Sequence, residues 1–299
     1  MAEEEIVETE PFLNKWTEQK VAYNQRDLLL YAVGIGCDEL NFTYEHDEDF
    51  EAFPLYPIVL GFKGTDQDVV SFPSEAMSEG PPMPPLPGIK VGLDGERYIE
   101  KLAPLDPEGA ELTCKARIIG VHKRGSGASV EREDLIQDAN GKTIYRIVSG
   151  SFLVGAKNFK DSGETNSEKV DVPKRAPDAS LEMPTTETQA HVYRLSGDYN
   201  PLHIDPSFAQ MSGFKKPILH GLCSLGITTR AVIQQYCDGK AEKFRSIKAR
   251  FAKPVLPGDT LVVEMWKEGN KVIVQTKNKT TGDVCINNAY VMLNPDAKL

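Results

Sequence analysis

The sequence predicts an α+β protein in which one long helix packed on an antiparallel sheet is made twice. Three observations predict it. Alternating or apolar runs, cut by turn signals, fill residues 96–154 and again 246–293. A helical stretch precedes each run. The turns also correspond: Pro107 through Leu112 parallels Pro257 through Leu261, and Asn140-Gly141-Lys142 parallels Thr281-Gly282-Asp283. The repeat distance of roughly 140–160 residues is that of a duplicated module, not of a solenoid.

Composition bounds the reading first. The chain has 299 residues, 40% hydrophobic and 26% charged, the balance of a globular protein with a sizeable core. A net charge of -10 argues against a nucleic-acid surface. Part of that charge sits in Glu3, Glu4, Glu5, Glu8 and Glu10, which read as a solvated, disordered lead-in. No apolar run reaches the roughly 18–20 residues that span a bilayer, so no membrane span is expected. The acidic start has neither the basic nor the apolar region of a secretory signal. Cys37, Cys114, Cys223, Cys237 and Cys285 are odd in number and widely spaced. They fit buried thiols in a reducing compartment, not a disulfide framework or a zinc site.

The elements follow in order. Trp16 to Val33 reads as a helix, with Val21, Leu28, Tyr31 and Ala32 at helical spacing and Gly34 and Gly36 behind it. Asn41 to Tyr44 is strand-like, and Ile58 to Phe62 is an apolar run. Gly80 to Gly88, with five prolines, is a loop. Tyr98–Leu102, Glu111–Val121, Ser129–Gln137 and Thr143–Val154 read as strands, the last two joined through Asn140-Gly141, a hairpin signal. A polar stretch over 158–182 reads as a linker. A helix follows over Leu222 to Tyr236, then strands at Ser246–Phe251, Thr260–Trp266, Lys271–Lys277 and Val284–Leu293. The organisation is therefore 1–157, a linker over 158–182, and 183–299. Only the last part carries an acid–base pair, so chemistry is expected there.

That pair lies in Ser196-Gly197-Asp198-Tyr199-Asn200-Pro201-Leu202-His203. Gly197 and Pro201 bracket a turn, and the proline disfavours helix at Asn200. Such a turn can aim Asp198 and His203 at one water and let them move two protons near neutral pH. The residues alone fit equally a capping carboxylate and a structural histidine. His220-Gly221 opens the apolar helix, where free N–H groups stabilise a developing negative charge, so Gly221 suits a thioester carbonyl oxygen. A plain helix start is the alternative. Lys215, Lys216, Lys248, Arg250 and Lys253 make a basic neighbourhood that suits a phosphate-bearing handle, or else are solvated side chains. Phe251 shares an apolar strand face with Ile247 and Ala249.

The stretch Tyr193–Gly226, with its string YRLSGDYNPLHID, and Lys248–Gly258 (KARFAKPVLPG) resemble the 2-enoyl-CoA hydratase 2 family of MaoC-like dehydratases. Within it, the chain is similar to the hydratase unit of peroxisomal multifunctional enzymes of type 2. The resemblance covers nearly everything after the acidic lead-in. It implies a double hot-dog fold whose N-terminal repeat is non-catalytic and accommodates the acyl chain. It implies reversible hydration of trans-2-enoyl-CoA to (3R)-3-hydroxyacyl-CoA in peroxisomal fatty-acid β-oxidation, with no cofactor and no metal. By it, Asp198 and His203 are catalytic, Asn200 supports them and Gly221 binds the thioester oxygen. Tyr199, Asn200, Pro201, Leu202 and Phe251 line the substrate site. Glu45 falls where the family has a supporting glutamate, and Asp94, Gly95 and Arg124 where it contacts ligand. Two departures matter: Asp94 stands where relatives have histidine, and Arg124 where they have lysine. A homodimer is the family expectation.

The C-terminal Ala297-Lys298-Leu299 is one substitution from the peroxisomal address Ser-Lys-Leu, so an import receptor and the peroxisome are expected; a frayed terminus is the alternative. No G-x-G-x-x-G dinucleotide loop is present, so a stand-alone hydratase is expected and not a fragment. Two rivals remain: an acyl-CoA thioesterase of the same fold, and a non-catalytic acyl-CoA-binding protein.

Overall fold

The computed structural model describes residues 6–294. The Ala297-Lys298-Leu299 address and Glu3 to Glu5 lie outside them. β1 (Thr17–Asn24) leads directly into α1 (Gln25–Gly34), and three single turns follow: α2 (Leu40–Thr43), α3 (Leu60–Lys63) and α4 (Glu75–Ser78). β2 (Val91–Lys101), β3 (Gly109–Arg124), β4 (Gly127–Gln137) and β5 (Thr143–Val154) complete the first half. The connecting stretch contributes β6 (Ser162–Gly163), which pairs with β3. The second half holds β7 (Ala179–Pro184), α5 (Gln189–Tyr193), α6 (Pro206–Met211) and α7 (Gly221–Tyr236). It closes with β8 (Phe244–Phe251), β9 (Thr260–Glu268), β10 (Lys271–Asn278) and β11 (Val284–Leu293).

All strands share one antiparallel sheet, ordered β1-β3-β4-β5-β2-β8-β11-β10-β9-β7. Read inward from either end, the order is the same: outer strand, three-stranded meander, inner strand. The duplication seen in the turns is thus a duplication of topology. The inner strands β2 and β8 pair from Glu96↔Arg250 to Glu100↔Ser246 and fuse the halves. Beneath this seam Lys248, 1% exposed, meets Glu96 at 3.3 Å and donates to the Glu168 carbonyl at 3.0 Å. Arg250 binds the same Glu96. Both cations pair at the seam: Lys248 is buried there and is not a solvated side chain, while Arg250 stays half-exposed.

The helices differ between halves. α7, about 24 Å long at 1.5 Å per residue, buries eleven side chains or backbone positions from Leu222 to Ile233 against the second half of the sheet. Among the described residues the first half has instead the ten-residue α1 and the single turns α2, α3 and α4. The expected helix over Trp16–Val33 is corrected: its first part is β1, where Val21 and Tyr23 face the core and pair with Leu112 and Ala110. The chain turns helical at a capping box, in which Asn24 accepts from the Asp27 N–H at 3.1 Å and donates its own N–H to Asp27 at 3.0 Å. Asn41–Tyr44, expected as a strand, is the turn α2 with Phe42 buried. Within the described residues the lead-in is held in place: Val7 bridges to Phe159, and Thr9 donates to the Lys160 carbonyl at 2.7 Å.

Because no long helix fills the first half, its concave sheet face is left partly open. A cavity of about 540 Å³ lies there. Its roof is Pro57, Ile58, Phe62 and Met77, and its floor includes Ile118, Val130, Ile136 and Ile147, with the ion pair of Arg132 and Asp134. Arg97 of β2 stands at one side of it.

Candidate active site

The segment between α5 and α7 builds the site. A 3-10 turn, Arg194–Ser196, ends at Gly197, whose φ is 132°. A β-carbon there would also approach the Val59 carbonyl to 3.3 Å, so glycine is what lets the chain reverse in this space. Asp198 follows, its carboxylate accepting from the Asn200 N–H at 3.3 Å. Asn200 caps the next turn, Pro201–His203, accepting from the Leu202 N–H at 3.0 Å, with Pro201 at the first helical position. Asn200 therefore supports the pair by shaping the loop. Tyr199 is buried, held by Arg194 over its ring and by its hydroxyl donating to the Leu195 carbonyl. Pro201 and Leu202 are half-buried.

Asp198 and His203, each 8% exposed, are brought together with His220, which is fully buried. A carboxylate oxygen and one nitrogen from each ring lie within 4.8 Å of one another. The His203 Nδ1 donates to the Ile218 carbonyl at 2.8 Å. A carbonyl only accepts, so the neutral ring keeps its lone pair on Nε2. Burial lowers His203 to about 4, against the pull of that hydrogen bond. Burial raises Asp198 to about 6, opposed by the Asn200 N–H and the charge of Arg97. Near neutral pH the pair is thus an ionised carboxylate beside a neutral imidazole.

The three residues do not suit a metal ion. The rings of His203 and His220 stack with centroids 3.7 Å apart and planes 29° from parallel. Lone pairs lie in the ring planes, so stacked rings do not converge on one centre at about 2.0–2.1 Å. The His220 Nε2 is also engaged, at 3.1 Å from the Asp198 carbonyl oxygen.

Gly221 begins α7 with its first N–H groups free of helix partners. Phe251, the last residue of β8, packs over it. Asp94, from the first half, pairs with Arg97 at 2.9 Å, beside Asp198. Although its side chain is 38% exposed, surrounding protein raises the carboxyl, and so does the nearby Asp198 charge; Arg97 opposes both. Gly95 lets β2 bulge close to β5: a β-carbon there would lie 2.8 Å from the Gly150 carbonyl. Arg97, only 13% exposed, joins cavity and pair, and sequence reasoning missed it. Its signal was a charge in phase with the core residue Ile99 on β2.

Other candidates stand apart. Glu45 lies on an exposed turn beside His46. The neighbouring Asn41 and Glu51 bond Gly239 and Ala241, beyond the C-terminus of α7 and away from His220 at its start. Glu45 thus lies toward the end of α7 opposite the pair. Arg124 is exposed at the β3–β4 hairpin and donates to the Lys123 carbonyl. Lys215, Lys216 and Lys253 are exposed on loops joined where the Leu219 N–H meets the Val255 carbonyl at 2.7 Å.

Known proteins resemble this chain over most of its length. Residues 21–155 match the family model described as MFE-2 hydratase 2 N-terminal domain, and residues 168–289 that described as MaoC like domain. Mouse peroxisomal multifunctional enzyme type 2 is 42% identical over 92% of this chain, which spans only 37% of that protein. Arabidopsis thaliana peroxisomal enoyl-CoA hydratase 2 is 37% identical, with 89% of each covered. The crystal structure of a MaoC-like dehydratase from Phytophthora capsici superposes with a TM-score of 0.92 at 45% identity, over 97% of this chain and 98% of that one. A double hot-dog protein of Mycobacterium tuberculosis, 10% identical with a TM-score of 0.57, shares the fold over 95% and 97% of the chains.

Proposed function

The chain belongs to the hydratase 2 family of MaoC-like hot-dog proteins, and from that premise we propose that it is a hydro-lyase. It adds water reversibly to trans-2-enoyl-CoA, giving (3R)-3-hydroxyacyl-CoA, in peroxisomal fatty-acid β-oxidation. The observation that carries this reading is the buried pair: an ionised Asp198 and a neutral His203 are two hydrogen-bond acceptors set side by side. Water has two O–H donors. Held by both acceptors, it turns a lone pair toward C3.

In the forward step the water oxygen bonds to C3 while one of its protons passes to Asp198, the more basic of the two groups. Electron density moves from the C2–C3 double bond to the thioester oxygen, where the Gly221 N–H stabilises it. Asp198 then returns the proton to C2, and the sum is addition of one water. His203 keeps hold of the second water hydrogen throughout. Leu202, Pro201 and Phe251 line the acyl thioester, and Asp94 and Gly95 close the far side. The half spanning 1–157 is non-catalytic and takes the acyl chain into its cavity, within the volume range of small-molecule sites. Residues 158–182 connect it to the catalytic half, 183–299. Arg124 and the exposed Lys215, Lys216 and Lys253 meet the phosphates of CoA.

The test follows absorbance of the conjugated thioester when the protein meets trans-2-decenoyl-CoA, with the product coupled to an R-specific or an S-specific 3-hydroxyacyl-CoA dehydrogenase. Loss of absorbance with signal only in the R-coupled assay is expected. Product that feeds the S-specific enzyme, or release of free thiol from a saturated acyl-CoA without hydration, overturns the proposal. For localisation, a fluorescent N-terminal fusion should be punctate and become diffuse when Ala297-Lys298-Leu299 is deleted. Homologues named peroxisomal in mouse and Arabidopsis support that expectation.

A further inference from the structure

We infer that His220 is a positioning residue for this reaction: its buried ring backs His203, ties down the Asp198 backbone and orients Gly221, without touching substrate. The inference rests on the hydratase reading above. One side chain contacts both members of the pair. Its ring stacks on His203 at 3.7 Å, and its Nε2 is 3.1 Å from the Asp198 carbonyl oxygen. It is also the N-cap of α7, with φ -55° and ψ 132°, so its backbone sets where the Gly221 N–H points. Behind it the Tyr193 ring lies at 4.8 Å and the Tyr31 ring 5.9 Å beyond that, a chain of rings from the pair into the core.

The tautomer follows from the partner. A carbonyl can only accept, so Nε2 carries the proton and Nδ1 is bare. That Nδ1 is buried and meets no protein donor. A buried acceptor without a donor costs stability. A phenyl ring would fill the same space without that cost, so packing alone does not explain an imidazole here. What the imidazole adds is the donated hydrogen bond to Asp198. The titratable and charged groups facing it are His203, Asp198, Tyr193 and Arg194. Burial and the neighbouring His203 keep its ring neutral, so the bond to Asp198 persists across the working pH range.

The experiment uses the full chain carrying His220→Phe or His220→Gln. Phenylalanine keeps a stacking ring and removes the donor; glutamine keeps a donor and removes the ring. With trans-2-decenoyl-CoA, His220→Phe should retain the wild-type melting midpoint or exceed it. Its kcat should fall on the order of 10–100-fold with little change in KM, as for a small misplacement of reacting groups. His220→Gln should recover part of that loss per folded molecule. Nitrogen-15 spectra of the wild type should show one histidine locked as the Nε2–H tautomer with no titration from about pH 5 to about pH 9. Wild-type kcat in His220→Phe, losses in both variants that merely follow the folded fraction, or an Nδ1–H tautomer at His220 would each overturn the inference. If the wild type hydrates nothing, the hydratase reading fails instead, while the tautomer remains measurable on its own.

Discussion

Phe251 lies across Gly221 so closely that a β-carbon on the glycine would come within 3.3 Å of the ring. The space for a methyl beside the free N–H at the start of α7 is therefore already taken by the ring. Gly221→Ala keeps the N–H but presses a methyl against the ring, so kcat should fall by up to about 10²-fold, as for a misplaced donor. Adding Phe251→Leu should restore part of it by giving the methyl room. Steady-state kinetics of the single and double variants check this; equal kcat in Gly221→Ala and wild type would mean that the Phe251–Gly221 contact does not hold the donor in place.

Burial of the Asp198 carboxylate carries a stability cost. Its carboxyl moves from an ordinary 3.8 to about 6 on folding, because burial disfavours the charged form. Folding therefore favours the protonated acid. The cost is absent below about pH 4, where both states are protonated, and is fully present above about pH 6. The difference corresponds to roughly 3 kcal/mol. Asp198→Asn should thus unfold at higher urea than wild type at about pH 8, and show little gain at about pH 4, while losing about 10²–10⁴-fold in kcat.

The same displacement sets the pH profile. Protonation of Asp198 removes one of the two acceptors proposed to hold water, so kcat/KM should fall as pH drops through about 6. His203 contributes a second loss only near about 4. A profile flat from about pH 5 upward would separate Asp198 from proton transfer.

Arg97 opposes the rise in Asp198, so removing it should raise the carboxyl further. Arg97→Met also leaves Asp94 without its partner at 2.9 Å. The acid limb of the profile should move to higher pH, with kcat at its plateau less affected than kcat/KM near pH 6. An unmoved limb would mean that Arg97 acts only on Asp94.

How much of this was legible depends on where each partner lies. The second half was readable because its signals are local: α7 has apolar residues at helical period, and β9, β10 and β11 alternate between marked turns. The string around Asp198 and His203 carries its own turn chemistry. β1 was hidden because Val21, Leu28 and Tyr31 satisfy a helical period by coincidence, while the strand partner, β3, lies far along the chain. The Asn24 and Asp27 capping box was the available signal. Lys248 looked like a surface cation because nothing near it in sequence shows Glu96 pairing across the β2–β8 seam. Arg97 was missed for the same reason.

The seam also governs what a broken chain would do. β2 and β8 belong each to its own half, yet they hydrogen-bond to one another along five residue pairs. The sheet itself is then the weld, and the polypeptide between the halves is bonded to both of them, Thr165 donating to Glu131 and the Val170 N–H to Asn288. A protease cut within 158–182 should leave two pieces that stay together as one native-sized particle, and neither piece made alone should survive with that bare inner edge exposed.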